Sequence, residues 1–264
     1  VSTVVTGSPV TTLPAVVPTL ARTRWLAWRG LVFQLAGILA AFLALVVWLL
    51  TAKLTPTELN TLAPDALWGY TVEHLQLTLL AAVIVLALAI PVGILLTRRP
   101  LRRFTGPILA LANVGQAAPA VGVVVLLAFW LGFGFWAATV GLVLYAVLPV
   151  LRNTMVGLQQ VDPRLVEAGR GMGMSATAVL FKVELPLAVP VMLSGIRTAL
   201  VLLVGTAALA TFINGGGLGI LITTGVNLNL TVVLVTGAVL VALLALLIDW
   251  VGRVVEHVAR PKGI

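Results

Sequence analysis

The sequence predicts an all-α fold, a polytopic transmembrane helical bundle of about six spans, and three observations lead there. The 264 residues are 61% hydrophobic and only 9% charged, with a mean hydropathy of +1.17. A soluble domain carries roughly 45–50% apolar and about 25% charged residues. Polar groups are therefore too scarce to cover an exterior in water, and the solvent is lipid. A hydrocarbon core near 30 Å needs about 20 apolar helical residues, and six stretches supply them. Basic residues, finally, collect in alternate connections between those stretches, as they do in cytoplasmic loops.

Residues 1–30 are expected to form a flexible basic N-terminal tail. Val1–Ala21 is rich in Val, Thr and Pro without periodicity, and Arg22, Arg24 and Arg29 follow. The first apolar run, Leu31–Leu50, is too long for a cleaved signal and leads into Thr51–Leu54 without a small-residue cleavage site. It is read as an additional, retained N-terminal transmembrane helix over 31–50. The remaining spans are predicted at Leu75–Leu96, Leu109–Leu131, Phe133–Leu151, Leu187–Leu209 and Leu230–Val251. Gly132 and Gly134 form a tight turn between the third and fourth. Ala210–Asn229 is apolar and glycine-rich, a candidate to dip into the membrane, and 252–264 is expected as a C-terminal tail.

Only Lys53 and Arg197 among the Lys and Arg residues fall outside the N-terminus, the second–third connection, the fourth–fifth connection and the C-terminus. Both termini are accordingly expected in the cytoplasm. This loop bias accounts for the net charge of +8 and the pI near 11.3, and no nucleic-acid partner is expected. The seven tryptophans all sit at or near predicted span ends, as an aromatic belt requires. The absence of Cys removes disulfides and thiolate chemistry.

The connection 152–186 holds more structure than a linker needs. Asp162-Pro163 reads as an N-cap followed by proline at the first helical position. Arg164, Glu167 and Arg170 form a charged stripe with i,i+3 pairing, opposed by an apolar face of Leu165, Val166, Gly169 and Met172. Gly171 and Gly173 break this helix, Ser175 caps a second one running to Lys182, and Leu185-Pro186 opens the fifth span. Such a segment either docks against a partner or lies on the membrane surface as an amphipathic helix.

Glu167-Ala168-Gly169, Gly173, Val183 and Leu185-Pro186 resemble the EAA signature of permease subunits in bacterial ABC importers. The spacing is kept throughout, with Gly169 in place of the second Ala and Val183 in place of Ile. Further stretches resemble permeases for osmoprotectants: Gly93 to Arg98, Ala112 to Gln116 with Pro119, Leu148 to Thr154, Phe181 to Pro186 and Gly195 to Ala199. The likeness covers 74–251, a permease core of five spans, and leaves the first span outside it.

The resemblance implies a type I ABC importer permease fold in a bacterial cell membrane. It implies ATPase docking through Glu167, Ala168, Gly169, Arg170, Met172 and Gly173. Its expected partners are two cytoplasmic ATPase subunits, a second permease subunit (identical or homologous), an extracytoplasmic substrate-binding protein and the lipid bilayer. ATP and Mg would belong to the partner ATPase, with no cofactor in this chain and no catalysis by it. The implied substrates are quaternary amines such as glycine betaine, choline and carnitine; another small solute such as an amino acid is the alternative.

Arg197 lies well inside the fifth predicted span, where no acid is expected at its depth. Backbone carbonyls, Gln116 or Asn113 are its expected partners, and either a translocation-path or a structural role fits. Asn113, Gln116, Pro119 and Asn214 are the other path candidates, although interhelical hydrogen bonding explains the first two equally well. Pro119 and Pro190 are expected to bend their spans. The Asn214-Gly215-Gly216-Gly217-Leu218-Gly219 run lacks the Lys-Ser/Thr ending of a phosphate loop and reads as a turn or outer gate. An ion-coupled secondary transporter would carry intramembrane acids and paired broken helices, and neither is visible. His74 and His257, both near span ends, give no acid–base constellation for an intramembrane enzyme.

Overall fold

The computed structural model of the chain describes residues 20–259, and side chains from Trp28 onward. The expected tail over 1–19 and residues 260–264 lie outside the described residues. Every regular element among the described residues is helical. Helix α1 spans Leu20–Thr51, so residues 20–30, expected as tail, continue the first span as helix. Leu, Ala, Arg and Trp all support a helix there and no proline interrupts them.

Thr55 and Glu58 form a reciprocal capping box on the short α2, Pro56–Thr61. Pro64 then opens α3, Pro64–Thr97, a 34-residue helix that starts well before the predicted Leu75. Helices longer than the predicted apolar spans recur at Leu20–Thr51, Phe135–Gln159 and Thr231–Ala259. Hydropathy marks where lipid ends, whereas a helix ends where capping, packing or a breaker stops it.

The predicted third span is not one helix. A short 3₁₀ turn at Arg102–Phe104 leads into α4, Thr105–Ala117, and then α5, Ala120–Leu131. The two are bent by 100° at the intervening break. Pro119 cannot donate a helical hydrogen bond and forces the residue before it out of the α region. Ala118 is accordingly extended, at φ −65° and ψ 146°. Gly132 and Gly134, both at positive φ, then reverse the chain into α6, Phe135–Gln159. Among the described residues five helices are long and apolar enough to cross a membrane, and the bent pair, counted as one span, brings the number to six.

Helix α6 runs through Arg152–Gln159, which the sequence assigned to the docking connection. Thr154, Met155, Gly157 and Leu158 are buried there, so packing extends the helix past its apolar stretch. Helix α7 spans Pro163–Gly171, and α8 spans Ala176–Val179. A π-helical turn at Leu180–Glu184 joins α8 to α9, Leu185–Ala207. Leu185-Pro186 therefore does not open the span; the helix already runs in from Ala176, and the wider π turn accommodates the proline's missing donor. Pro91, Pro149 and Pro190 likewise sit inside continuous helices. The 3₁₀ turn Ala208–Ile213 ends at Asn214 in the left-handed region, and α10, Gly219–Asn227, follows. Helix α11 spans Thr231–Ala259, so residues 252–259 are helical as well.

At the centre, α6 packs along both α3 and α9. Their buried residues recur every fourth position: Leu77, Ala81, Val85 and Ala89 on α3; Ala138, Leu142, Ala146 and Val150 on α6; Ala199, Leu203 and Ala207 on α9. Such i±4 ridges interdigitate, and in lipid, where burial alone gives little drive, small residues let helices approach closely. Ala210–Asn229, the candidate to dip into the membrane, falls on the 3₁₀ turn and on α10, which packs against α11. Helix α1 lies outermost against α11, held along a seam of Leu31, Ile38 and Leu45.

Candidate docking site

Between α6 and α8 the chain makes a self-contained hairpin. Asp162 Oδ1 accepts from the Arg164 amide at 2.9 Å, with Pro163 in the first turn. Helix α7 ends as the Met172 amide donates to Ala168 O at 3.0 Å and the Gly173 amide to Arg170 O at 2.9 Å. Gly173 takes φ +81°, a conformation that disfavours any residue with a Cβ. The Met174 amide then reaches back to Gly169 O at 3.1 Å, and Ser175 Oγ caps α8 by accepting from the Ala178 amide at 3.2 Å.

The hairpin closes at Gly169, the one fully buried residue of α7, against Met174, Val179 and Val183. The expected apolar face does not all turn inward. Val166 is half-buried, but Leu165 is 48% and Met172 74% exposed. One glycine's width of contact supports α7, which leaves the flanking side chains uncovered. Leu165, Ala168 and Met172, spaced i, i+3 and i+7, thus form an outward apolar strip bordered by Glu167. The expected Arg164–Glu167–Arg170 ion pairs do not form among the described residues. All three charges point outward instead.

Two ion-pair sets tie helices of the bundle together. Glu184, the last residue of the π turn and only 8% exposed, grips Arg98 at the end of α3 through both guanidinium Nη atoms. Arg197 is the second brace, and here the sequence expectation was wrong. Its partners are Asp249, at 3.4 Å, and Glu256, at 3.0 Å, not backbone carbonyls, Gln116 or Asn113. Helix α11 continues past the predicted span end and places Gly252 against the Arg197 side chain, so acids do lie at its level. Asp249 also accepts from Arg253 at 2.8 Å and from Gln34 of α1 at 3.1 Å. Trp250 Nε1 donates to Leu31 O at 2.9 Å. His257, within the expected C-terminal tail, sits in α11 edge-on to Trp28 with ring centroids 5.2 Å apart.

The remaining candidates are dispersed. Asn113 is exposed and Gln116 half-buried on α4, a helix with no fully buried residue. Neither forms a hydrogen bond among the described residues. Pro119 is exposed at the α4–α5 break, and Asn214 is exposed at φ 57° in the distal turn. That turn is latched to α3: the Gly217 amide donates to Glu73 Oε2 at 2.9 Å. His74, buried, contacts Val204 O through Nε2 at 2.9 Å.

Residues 89–260 match the family described as the binding-protein-dependent transport system inner membrane component. The chain belongs to that permease family. The permease is 41% identical over 192 residues to the glycine betaine/carnitine/choline transport system permease protein OpuCB of Bacillus subtilis (strain 168), covering 73% of this chain and 88% of that one. It is also 41% identical over 194 residues to the choline transport system permease protein OpuBB of the same organism, covering 74% and 88%. An inward-facing structure of the MetNI methionine ABC transporter superposes with a TM-score of 0.65 at 24% identity, covering 76% of this chain and all of that one. That likeness establishes the fold, a type I ABC importer permease. Helix α1 precedes the matched residues.

Two parts of the permease's site escaped the sequence reading. Glu184 stood inside the docking signature and Arg98 inside a basic loop, but 86 positions separate them and no spacing rule links them. Asp249 was visible as a lone acid in an apolar stretch, a signal for a buried ion pair whose partner only the packing supplies.

Proposed function

We propose that this chain is the membrane-spanning subunit of an ATP-driven importer for quaternary-amine osmoprotectants such as glycine betaine, choline and carnitine. The observation that carries the coupling role is the hairpin of α7 and α8. It is closed internally by caps and a glycine turn, yet exposes the Leu165–Ala168–Met172 strip beside Glu167. A rigid element with an outward apolar strip suits a groove on a cytoplasmic ATPase. The substrate class follows from the relatives, whose names specify glycine betaine, carnitine and choline.

In this reading two ATPase subunits grip the hairpins of a permease pair, and ATP with Mg resides in those subunits. Their closure displaces α7; the continuous α8–α9 rod carries the displacement into the bundle as a rigid-body change. An extracytoplasmic binding protein selects the amine. Both termini lie in the cytoplasm. Asn113, Gln116 and the Pro119 break, uncovered within the single chain, are assigned to the translocation path or the pair's interface. Arg197 is assigned to the α9–α11 brace.

The test is uptake of labelled glycine betaine into vesicles containing this chain, its ATPase and its binding protein. Uptake should require ATP and should be competed by choline or carnitine. Competition by an amino acid instead, or uptake driven by an ion gradient without the ATPase, overturns the assignment. Glu167→Lys should leave insertion intact while abolishing most ATP-driven uptake.

A further inference from the structure

We infer that Arg98 and Glu184 are a positioning pair, a strut that makes the end of α3 move together with the docking hairpin; this rests on the coupling role proposed above. Glu184 is placed where such a link is most effective. It closes the π turn between α8 and α9, directly downstream of the hairpin that Gly169 locks against Val179 and Val183. Any displacement of α7 therefore reaches the Glu184 backbone through packed contacts and a continuous helix.

From there the only route provided by the helix itself leads along α9. The carboxylate opens a second one. Both of its oxygens engage Arg98, Oε1 at 3.2 Å from Nη1 and Oε2 from Nη2. A two-point contact between a planar carboxylate and a planar guanidinium fixes orientation as well as distance. Arg98 is the first residue beyond α3, and its amide still bonds to Leu95 O at 3.0 Å. A pull on its side chain is thus a pull on the helix end.

The same helices also meet in an apolar cluster of Ile90 and Ile94 of α3 with Leu158, Leu180, Leu185, Ala188 and Met192. The cluster is held by apolar contacts, which have no fixed direction. The fork contact resists shear. A π turn is also one of the places where helices kink, so a brace at that point lets α3 follow the hairpin.

Because the chain has no cysteine, Arg98→Cys with Glu184→Cys can be bridged by a short bifunctional thiol reagent. In vesicles with the ATPase and binding protein, the unbridged double variant should import about tenfold less substrate per ATP hydrolysed, and bridging should restore the yield. An unbridged variant with the normal import per ATP, or a bridged one that stays uncoupled, overturns the strut. In the chain alone, Glu184→Gln should speed amide hydrogen exchange at both the last turn of α3 and the π turn, and leave α11 unchanged. Unaltered exchange overturns the strut even if the wild type shows no ATP-driven uptake, the result that would instead refute the importer assignment.

Discussion

Gly169 is the residue on which α7 both closes and weakens. A Cβ built there would lie 3.4 Å from Met174 Sδ and from a Val179 methyl, ordinary contact distances that need no rearrangement. Glycine inside a helix costs roughly 0.5–1 kcal/mol relative to alanine. Gly169→Ala should therefore stabilise α7 by about that amount, seen as slower hydrogen exchange of its amides. Faster exchange would mean that the closure with α8 is tighter than this geometry implies. Gly195 is the opposite case. A Cβ on it would sit 2.5 Å from Asn153 Cβ and 2.7 Å from Pro149 O, and the second of these is backbone that cannot swing aside. Gly195→Ala should destabilise the α6–α9 contact by about 1–3 kcal/mol, read as a lower melting temperature in detergent. An unchanged melting temperature would show that α6 and α9 separate without cost.

Among the elements, α1 is the most independent. It touches the bundle through the Leu31, Ile38 and Leu45 seam and a polar clasp in which Gln34 meets Asp249 and Trp250 meets Leu31 O. Among the described residues, no glycine-lined crossing ties it to α3, α6 or α9. Removing residues 1–51 should leave a bundle that inserts and melts cooperatively, with the melting temperature lowered by loss of the clasp; failure to insert would assign α1 an essential topogenic role. Elements of this kind were legible in the sequence because runs of Leu, Val and Ala report lipid directly. The hairpin was legible too, since Asp162-Pro163, Gly173 and Ser175 encode their local conformations. Helix ends were not: Thr154 to Leu158 and Val254 to His257 are helical because of what they pack against, and hydropathy does not register packing. Nor do prolines declare their effect. Pro91, Pro149 and Pro190 ride inside helices, whereas Pro119 lies at the break between two. The partners of Arg197 and Arg98 belong to the same class, set by which helices lie side by side.

On the scale of the whole molecule, two ends can be told apart. At one end lie the α7–α8 hairpin, the Arg98–Glu184 pair and the Arg197 network, together with Trp28 and Trp250. At the other lie the Gly132–Gly134 turn, the Glu73–Gly217 latch and the α1–α3 connection, with Trp48, Trp68, Trp130 and Trp136. Basic residues crowd the first end and leave Lys53 nearly alone at the second, so the first end should face the cytoplasm. Since the chain lacks cysteine, single cysteines report the side without background labelling. Lys53 and Ala176 are both exposed, and each is replaced in turn. Lys53→Cys should react with a membrane-impermeant thiol reagent in intact cells, whereas Ala176→Cys should react only once the membrane is permeabilised. The reverse pattern would put the docking hairpin on the side without ATP, and no cytoplasmic ATPase would then reach the Leu165–Ala168–Met172 strip.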